Sequence, residues 1–146
     1  MDNYYKALEI FKKNKNVHYQ ASVYKHLANI FTEENDYTAS KKYYHKALAI
    51  YEQYKNTYSQ AGIYMNLGII CSKEKKYVLS KSYYDKALAI FKQCKDVQRQ
   101  AVVYQNLGNI HKKSNEELSE ETQLKMEDDI RADFSNTEKN KKLIRN

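Results

Sequence analysis

The amino-acid sequence predicts an all-α fold, an α-solenoid of antiparallel helix pairs, on three observations. First, a forty-residue phrase recurs with no insertion or deletion. Tyr4-Tyr5-Lys6-Ala7-Leu8-Glu9-Ile10-Phe11 returns as Tyr44-His45-Lys46-Ala47-Leu48-Ala49-Ile50-Tyr51 and as Tyr84-Asp85-Lys86-Ala87-Leu88-Ala89-Ile90-Phe91. A fixed period of this length marks stacked units that bury their apolar faces only against neighbours. Second, the 146 residues include no Pro and only three Gly, too few breakers for a β-rich fold. Third, apolar residues inside each unit recur at the spacing of one helix face.

The elements come in a fixed order. Residues 1–14 read as a half repeat, the second helix of a unit. Full repeats lie at about 18–55 and 58–95, then the first helix of a third at about 98–113. In the central unit Ala61, Tyr64, Leu67, Gly68 and Cys71 form the stripe of the first helix. Tyr77, Ser80, Tyr84, Ala87, Leu88 and Phe91 form that of the second. Polar connectors at 32–36, 56–59 and 72–76 are short enough to make neighbours antiparallel. Small residues at Ala28, Gly68, Gly108, Ala47 and Ala87 allow close helix approach.

Beyond residue 115 the consensus fails. Glu117, Glu120, Glu127 and Asp128 stand where the preceding unit has Tyr77, Ser80, Ala87 and Leu88. Ser114-x-x-Glu117 reads as a capping box opening a new helix. Residues 116–135 then read as an acidic capping or partner-like helix, with Leu118, Leu124, Met126, Ile130 and Phe134 as a thin apolar stripe. The tail, 136–146, is expected to be disordered. Charge divides at the same place. Residues 1–115 carry 19 Lys/Arg against 9 Asp/Glu, whereas residues 116–138 carry 9 acidic side chains against 2 basic. Residues 116–138 are therefore a candidate for self-association, folding onto the basic groove of their own chain or of a second molecule.

The pattern Tyr64-x-x-Leu67-Gly68, Tyr77-x-x-Ser80, Tyr84-x-x-Ala87 resembles the tetratricopeptide repeat (TPR) signature. The unit here has 40 residues where the usual one has 34. In that it is similar to repeats of kinesin light chains, Pins-type adaptors and Rap-type regulators. The resemblance covers roughly residues 1–113 and implies a right-handed α-solenoid whose first helices line a concave face. It also implies a scaffold for protein–protein interaction rather than an enzyme.

Side chains between the packing positions of the first helices are then the candidates to line the groove. They are Lys25, His26 and Asn29 in the first unit, and Met65, Asn66, Ile69 and Lys73 in the second. The third supplies Gln105, Asn106, Asn109, Lys112 and Lys113. Asn amides suit an extended peptide, because each donates to a C=O and accepts from an N–H. The lysines favour an acidic ligand. In the dicarboxylate clamp that some relatives use for chaperone tails, Lys25, Asn29 and Asn66 fall on the first three positions. Val102 and Asn106 stand where the last two require cations, so the match is partial.

Other function classes fare less well. The four His and two Cys make no metal-ligand spacing, the glycines no phosphate loop, and no nucleophile–base pair is visible. No catalysis, cofactor or metal is expected. An RNA-binding helical repeat is the rival that the basic charge and 15 Tyr suggest. Most of those Tyr recur at packing positions, however, and Lys far outnumbers Arg, which weakens phosphate readout. A peptide-sensing, Rap-like regulator is the other alternative. Cys71 and Cys94 are expected to be reduced thiols at opposite ends of a helix pair. With no secretory leader or membrane-length apolar run, a cytoplasmic location is expected.

Overall fold

The computed structural model describes residues 1–145; the side chain of Phe134, assigned above to the apolar stripe, lies outside the described residues, as does Asn146. Six helices succeed one another: α1 (Asp2–Lys13), α2 (Val17–Glu33), α3 (Tyr37–Gln53), α4 (Thr57–Lys73), α5 (Tyr77–Gln93) and α6 (Val97–Arg145). The chain divides into two units, Met1–Ile110 and the residues from His111 onward.

In the first unit the turns between helices share one design. Lys15, Asn35, Lys55, Lys75 and Lys95 all take φ between 53° and 61°. At each, the next N–H donates to the carbonyl five residues back: Asn16 to Phe11 at 2.8 Å, Asp36 to Phe31 at 2.9 Å, Asn56 to Tyr51 at 2.9 Å. Lys76 and Asp96 repeat it on Cys71 and Phe91, at 2.8 Å and 3.0 Å. This is the Schellman closure with a left-handed residue at its corner. The residue that closes one helix then opens the next. Asn16, Asp36, Asn56 and Asp96 accept from the backbone N–H three residues on, at 3.1–3.5 Å. Termination and capping thus take three residues, and only antiparallel hairpins fit.

Two hairpins are complete, α2–α3 and α4–α5. Each is sealed by a tyrosine on the small residue of its first helix and a buried serine beside it. Ser40 donates to the Ala28 carbonyl at 2.9 Å and Ser80 to that of Gly68 at 2.7 Å. Both serines and both tyrosines, Tyr44 and Tyr84, are buried. Around Tyr84 a Cβ on Gly68 would lie 2.7 Å from the ring, so only glycine admits that approach. Burial of its hydroxyl pushes the Tyr84 pKa up to about 12. Each hairpin adds an aromatic pair under a lysine. Tyr24 and Tyr43 lie 6.1 Å apart, and Tyr64 and Tyr83 6.2 Å, with Lys46 and Lys86 each 5.5 Å from the Tyr24 and Tyr64 ring centres.

A second packing face joins the hairpins. Ile63 and Ile70 on α4 enter the core of the preceding hairpin, and Val103 and Ile110 on α6 enter that of α4–α5. Helix α4 is apolar nearly all round because it is covered on two sides. Lys41 on α3 also reaches Glu74 in the α4–α5 turn, at 2.8 and 3.0 Å. Those bonds hold the Glu74 carboxyl below the usual carboxylate range.

Among the described residues the second unit is all helix. No turn opens at Ser114–Glu117: α6 continues through it, and through 136–145, where no structure was expected. A hairpin here would bury Glu127 and Asp128 in place of an Ala and a Leu, at a cost no partner offsets. Glu116 also stands where Asp96 and Asn56 cap. Without a helix to dock, nothing rewards the strained corner residue, and Glu- and Lys-rich sequence extends the helix instead. Leu118, Met126 and Ile130 lie exposed along one face of this segment.

Candidate functional site

A cavity of about 230 Å³ opens in the first unit, lined by Lys25 and Asn29 of α2, by Tyr58, Ser59, Gly62, Met65 and Asn66 of α4, and by Arg99 of α6. Its chemistry is set by position on three successive first helices. Two cations, Lys25 and Arg99, face it with no carboxylate among the lining side chains. Two amides and a thioether lie between them. The lining thus combines positive charge with hydrogen-bonding amides and an apolar thioether.

Asn29, Tyr58 and Arg99 are held in place. The Tyr44 hydroxyl donates to Asn29 Oδ1. The buried tyrosine of the α2–α3 hairpin therefore orients the Asn29 amide. Asn29 keeps its NH₂ group for the cavity. Arg99 is positioned by Asp96, whose carboxylate is 3.5 Å from its Nε. Its guanidinium lies 5.7 Å from the Tyr58 ring centre and 5.8 Å from that of Phe91. The Tyr58 hydroxyl donates to the same carboxylate at 2.7 Å. That bond and the Arg99 backbone N–H hold the Asp96 pKa low, so the brace stays ionised through neutral pH. Gly62 borders open space, where a Cβ would meet nothing within 4 Å.

Of the twelve sequence candidates the cavity collects Lys25, Asn29, Met65 and Asn66. His26 is elsewhere engaged: its Nδ1 is 2.7 Å from the Ser22 carbonyl oxygen, and its ring stacks on Tyr4 at 5.7 Å. Ile69 packs against the α4–α5 core. Lys73 is exposed at the end of α4, and Gln105, Asn106 and Asn109 lie on α6 outside the cavity lining. Lys112 and Lys113 belong to the second unit.

The sequence pattern does not single out Tyr58, Ser59, Gly62 or Arg99, because it points to the middle of each first helix and not to its first turns. One signal was available. Arg99 takes the place of Tyr19 and Ser59 in the earlier units, three residues after an Asp cap. Among the described residues no group of His, Cys, Asp and Glu is arranged to hold a metal ion, and no helix is long and apolar enough to cross a membrane.

Comparison with known proteins agrees with this fold. Residues 21–54 and 61–94 match the tetratricopeptide repeat family model. Among solved structures, the crystal structure of BtubC (BKLC) from P. vanneervenii superposes with a TM-score of 0.68 at 23% identity. The match covers 77% of this chain and 47% of that one, so the chain spans about half the length of its neighbour. No curated protein sequence matches the chain significantly.

Proposed function

We propose that this chain, whose residues 21–54 and 61–94 belong to the tetratricopeptide repeat family, is a non-catalytic module that holds an acidic, extended segment of a protein partner across α2, α4 and α6. Tetratricopeptide repeats generally mediate protein–protein interaction. The observation that carries the finer reading is the pairing of Lys25 and Arg99 at one cavity that Asn66 and an oriented Asn29 also line. A carboxylate of the ligand takes the guanidinium, its backbone takes the amides, and Met65 supplies an adaptable apolar contact. Two free thiols, one exposed, suit a reducing compartment, which favours the cytoplasm.

Peptide selection from a random display library tests this. Peptides retained by the native chain should be rich in Asp and Glu and should lose about ten- to hundredfold in affinity on Arg99→Ala, the worth of a charged hydrogen bond. Gly62→Leu should abolish binding while leaving the helical signal intact, because it fills open space and improves helix propensity. Selection of no acidic peptide, or full binding by Gly62→Leu, contradicts the proposal.

A further inference from the structure

Three features of the cavity are not explained by the packing of the chain itself. Lys25 lines it and makes no ion pair among the described residues. Asp96 meets Arg99 at its Nε, 3.5 Å away, longer than an ordinary hydrogen bond. The donor fork of the guanidinium is therefore left for a ligand. Gly62 stands inside α4, where glycine weakens a helix, yet a Cβ there would meet nothing within 4 Å. No packing neighbour requires it, in contrast to Gly68 under the Tyr84 ring. Tyr58 and Ser59 add the first turn of α4, the positive end of a helix of 17 residues.

We propose that the cavity takes a phosphorylated serine of the partner segment in preference to an Asp or Glu side chain. This rests on the reading that the cavity holds an acidic segment, and it names the anion. A carboxylate brings one charge and two oxygens to a lining that offers Lys25, Arg99, Ser59 and the amides of Asn29 and Asn66. A phosphate monoester brings a charge of about −1.5 to −2 and three strong acceptor oxygens. Those oxygens suffice for the Arg99 fork, the Lys25 ammonium and the Ser59 hydroxyl together. The open space at Gly62 leaves room beside the α4 backbone for a tetrahedral group, which a planar carboxylate does not need. Most lining residues are only half-buried, so the cavity is shallow and suits the short reach of serine. No His, Asp or Glu is among the lining residues. His26, beside Lys25, is engaged by the Ser22 carbonyl and the Tyr4 ring. Behind Arg99, the bond from Tyr58 holds the Asp96 pKa low and raises that of Tyr58. A phosphate titrating at about pH 6 therefore brings its own pH signature to the site.

Isothermal titration calorimetry on the full chain tests this with three synthetic peptides. They share one Asp- and Glu-flanked sequence and carry phosphoserine, glutamate or serine at the centre. At about pH 7.5 the phosphoserine peptide should bind about tenfold tighter than the glutamate peptide, the worth of a further charged hydrogen bond. Its affinity should fall about tenfold by about pH 5, as the phosphate takes up its second proton. The glutamate peptide should change little, because its carboxyl titrates at about pH 4.3. Arg99→Lys keeps the charge and removes the fork, so it should abolish the preference for phosphoserine. Lys25→Gln should weaken the phosphoserine peptide more than the glutamate peptide. Circular dichroism confirms that each variant is folded. Equal binding of the phosphoserine and glutamate peptides overturns this inference and leaves the acidic-segment reading standing. Binding of none of the three removes both. A phosphoserine preference that survives both variants overturns the inference, since the phosphate then lies elsewhere. Inorganic phosphate that competes as strongly as the phosphoserine peptide also overturns it, because the ligand is then a free anion and not a partner's side chain.

Discussion

Gly68 and Gly108 hold the same place in successive units, yet the ring of Tyr84 lies against the first and open space surrounds the second. The helices that carry them share a consensus, and both pack Ile or Val into the preceding hairpin. They differ in the residues downstream. After α4 comes a chain able to bury Tyr, Ser, Ala and Leu; after residue 110 of α6 come Glu117, Glu120, Glu127 and Asp128. A consensus residue in a repeat therefore has no energetic value of its own. Its worth depends on whether the neighbouring helix arrives.

Paired substitutions sharpen this contrast, measured by denaturant unfolding. The largest difference is expected between Tyr84→Ala and Tyr104→Ala. The first removes a ring that is 2% exposed and should cost about 3–5 kcal/mol; the second should change stability by no more than about 0.5 kcal/mol. Next comes alanine at the two glycines. Gly68→Ala drives a Cβ to 2.7 Å from a buried ring and should cost about 1–3 kcal/mol. Gly108→Ala has the opposite sign and should stabilise by about 0.5–1 kcal/mol through helix propensity. Equal effects at the two glycines would break the comparison.

The same physics explains how much of this was legible in the sequence. The repeat length, the helix order and the packing roles of Ala61, Leu67, Tyr84 and Leu88 could be read, since burial against a neighbour imposes the apolar period. The second face, Ile63, Ile70, Val103 and Ile110, was masked because its spacing overlaps that of the first. The left-handed corners were hidden by their chemistry: four of the five are Lys, where Gly or Asn is the usual sign. The unbroken α6 was concealed by a capping box at Ser114–Glu117, a local signal that only a docking helix could have made worthwhile. Of the cavity, Lys25, Asn29, Met65 and Asn66 could be anticipated from position. Arg99 left only one signal, its place three residues after an Asp cap, since the helix pattern says nothing of how Asp96 and Tyr58 aim it.

The smallest expected effect concerns charge. Lys41 and Glu74 join two hairpins at 2.8 Å, whereas Lys112 and Glu116 stand 4.0 Å apart on exposed helix surface. Because Glu74 has a lowered pKa in the folded chain, its contribution is full above the unfolded carboxyl value, about 4.3, and is lost as pH falls through the folded one. Glu74→Gln should thus lower stability by up to about 1 kcal/mol at neutral pH, with the gap to the native chain closing in acid. Glu116→Gln should show no such gap. A Glu74→Gln gap that persists unchanged in acid would mean that the ion pair is not its source.

The central claim is that α2, α4 and α6 hold an acidic segment at the Lys25–Arg99 cavity. Nuclear magnetic resonance of the isotopically labelled chain, titrated with a synthetic Asp/Glu-rich peptide, tests it most directly. The side-chain resonances of Asn29, Asn66 and Arg99 should move together and saturate at one equivalent, while the amide of Asn115, outside the cavity, stays still. Shifts confined to residues beyond 110, or none at all in the cavity, would contradict the claim.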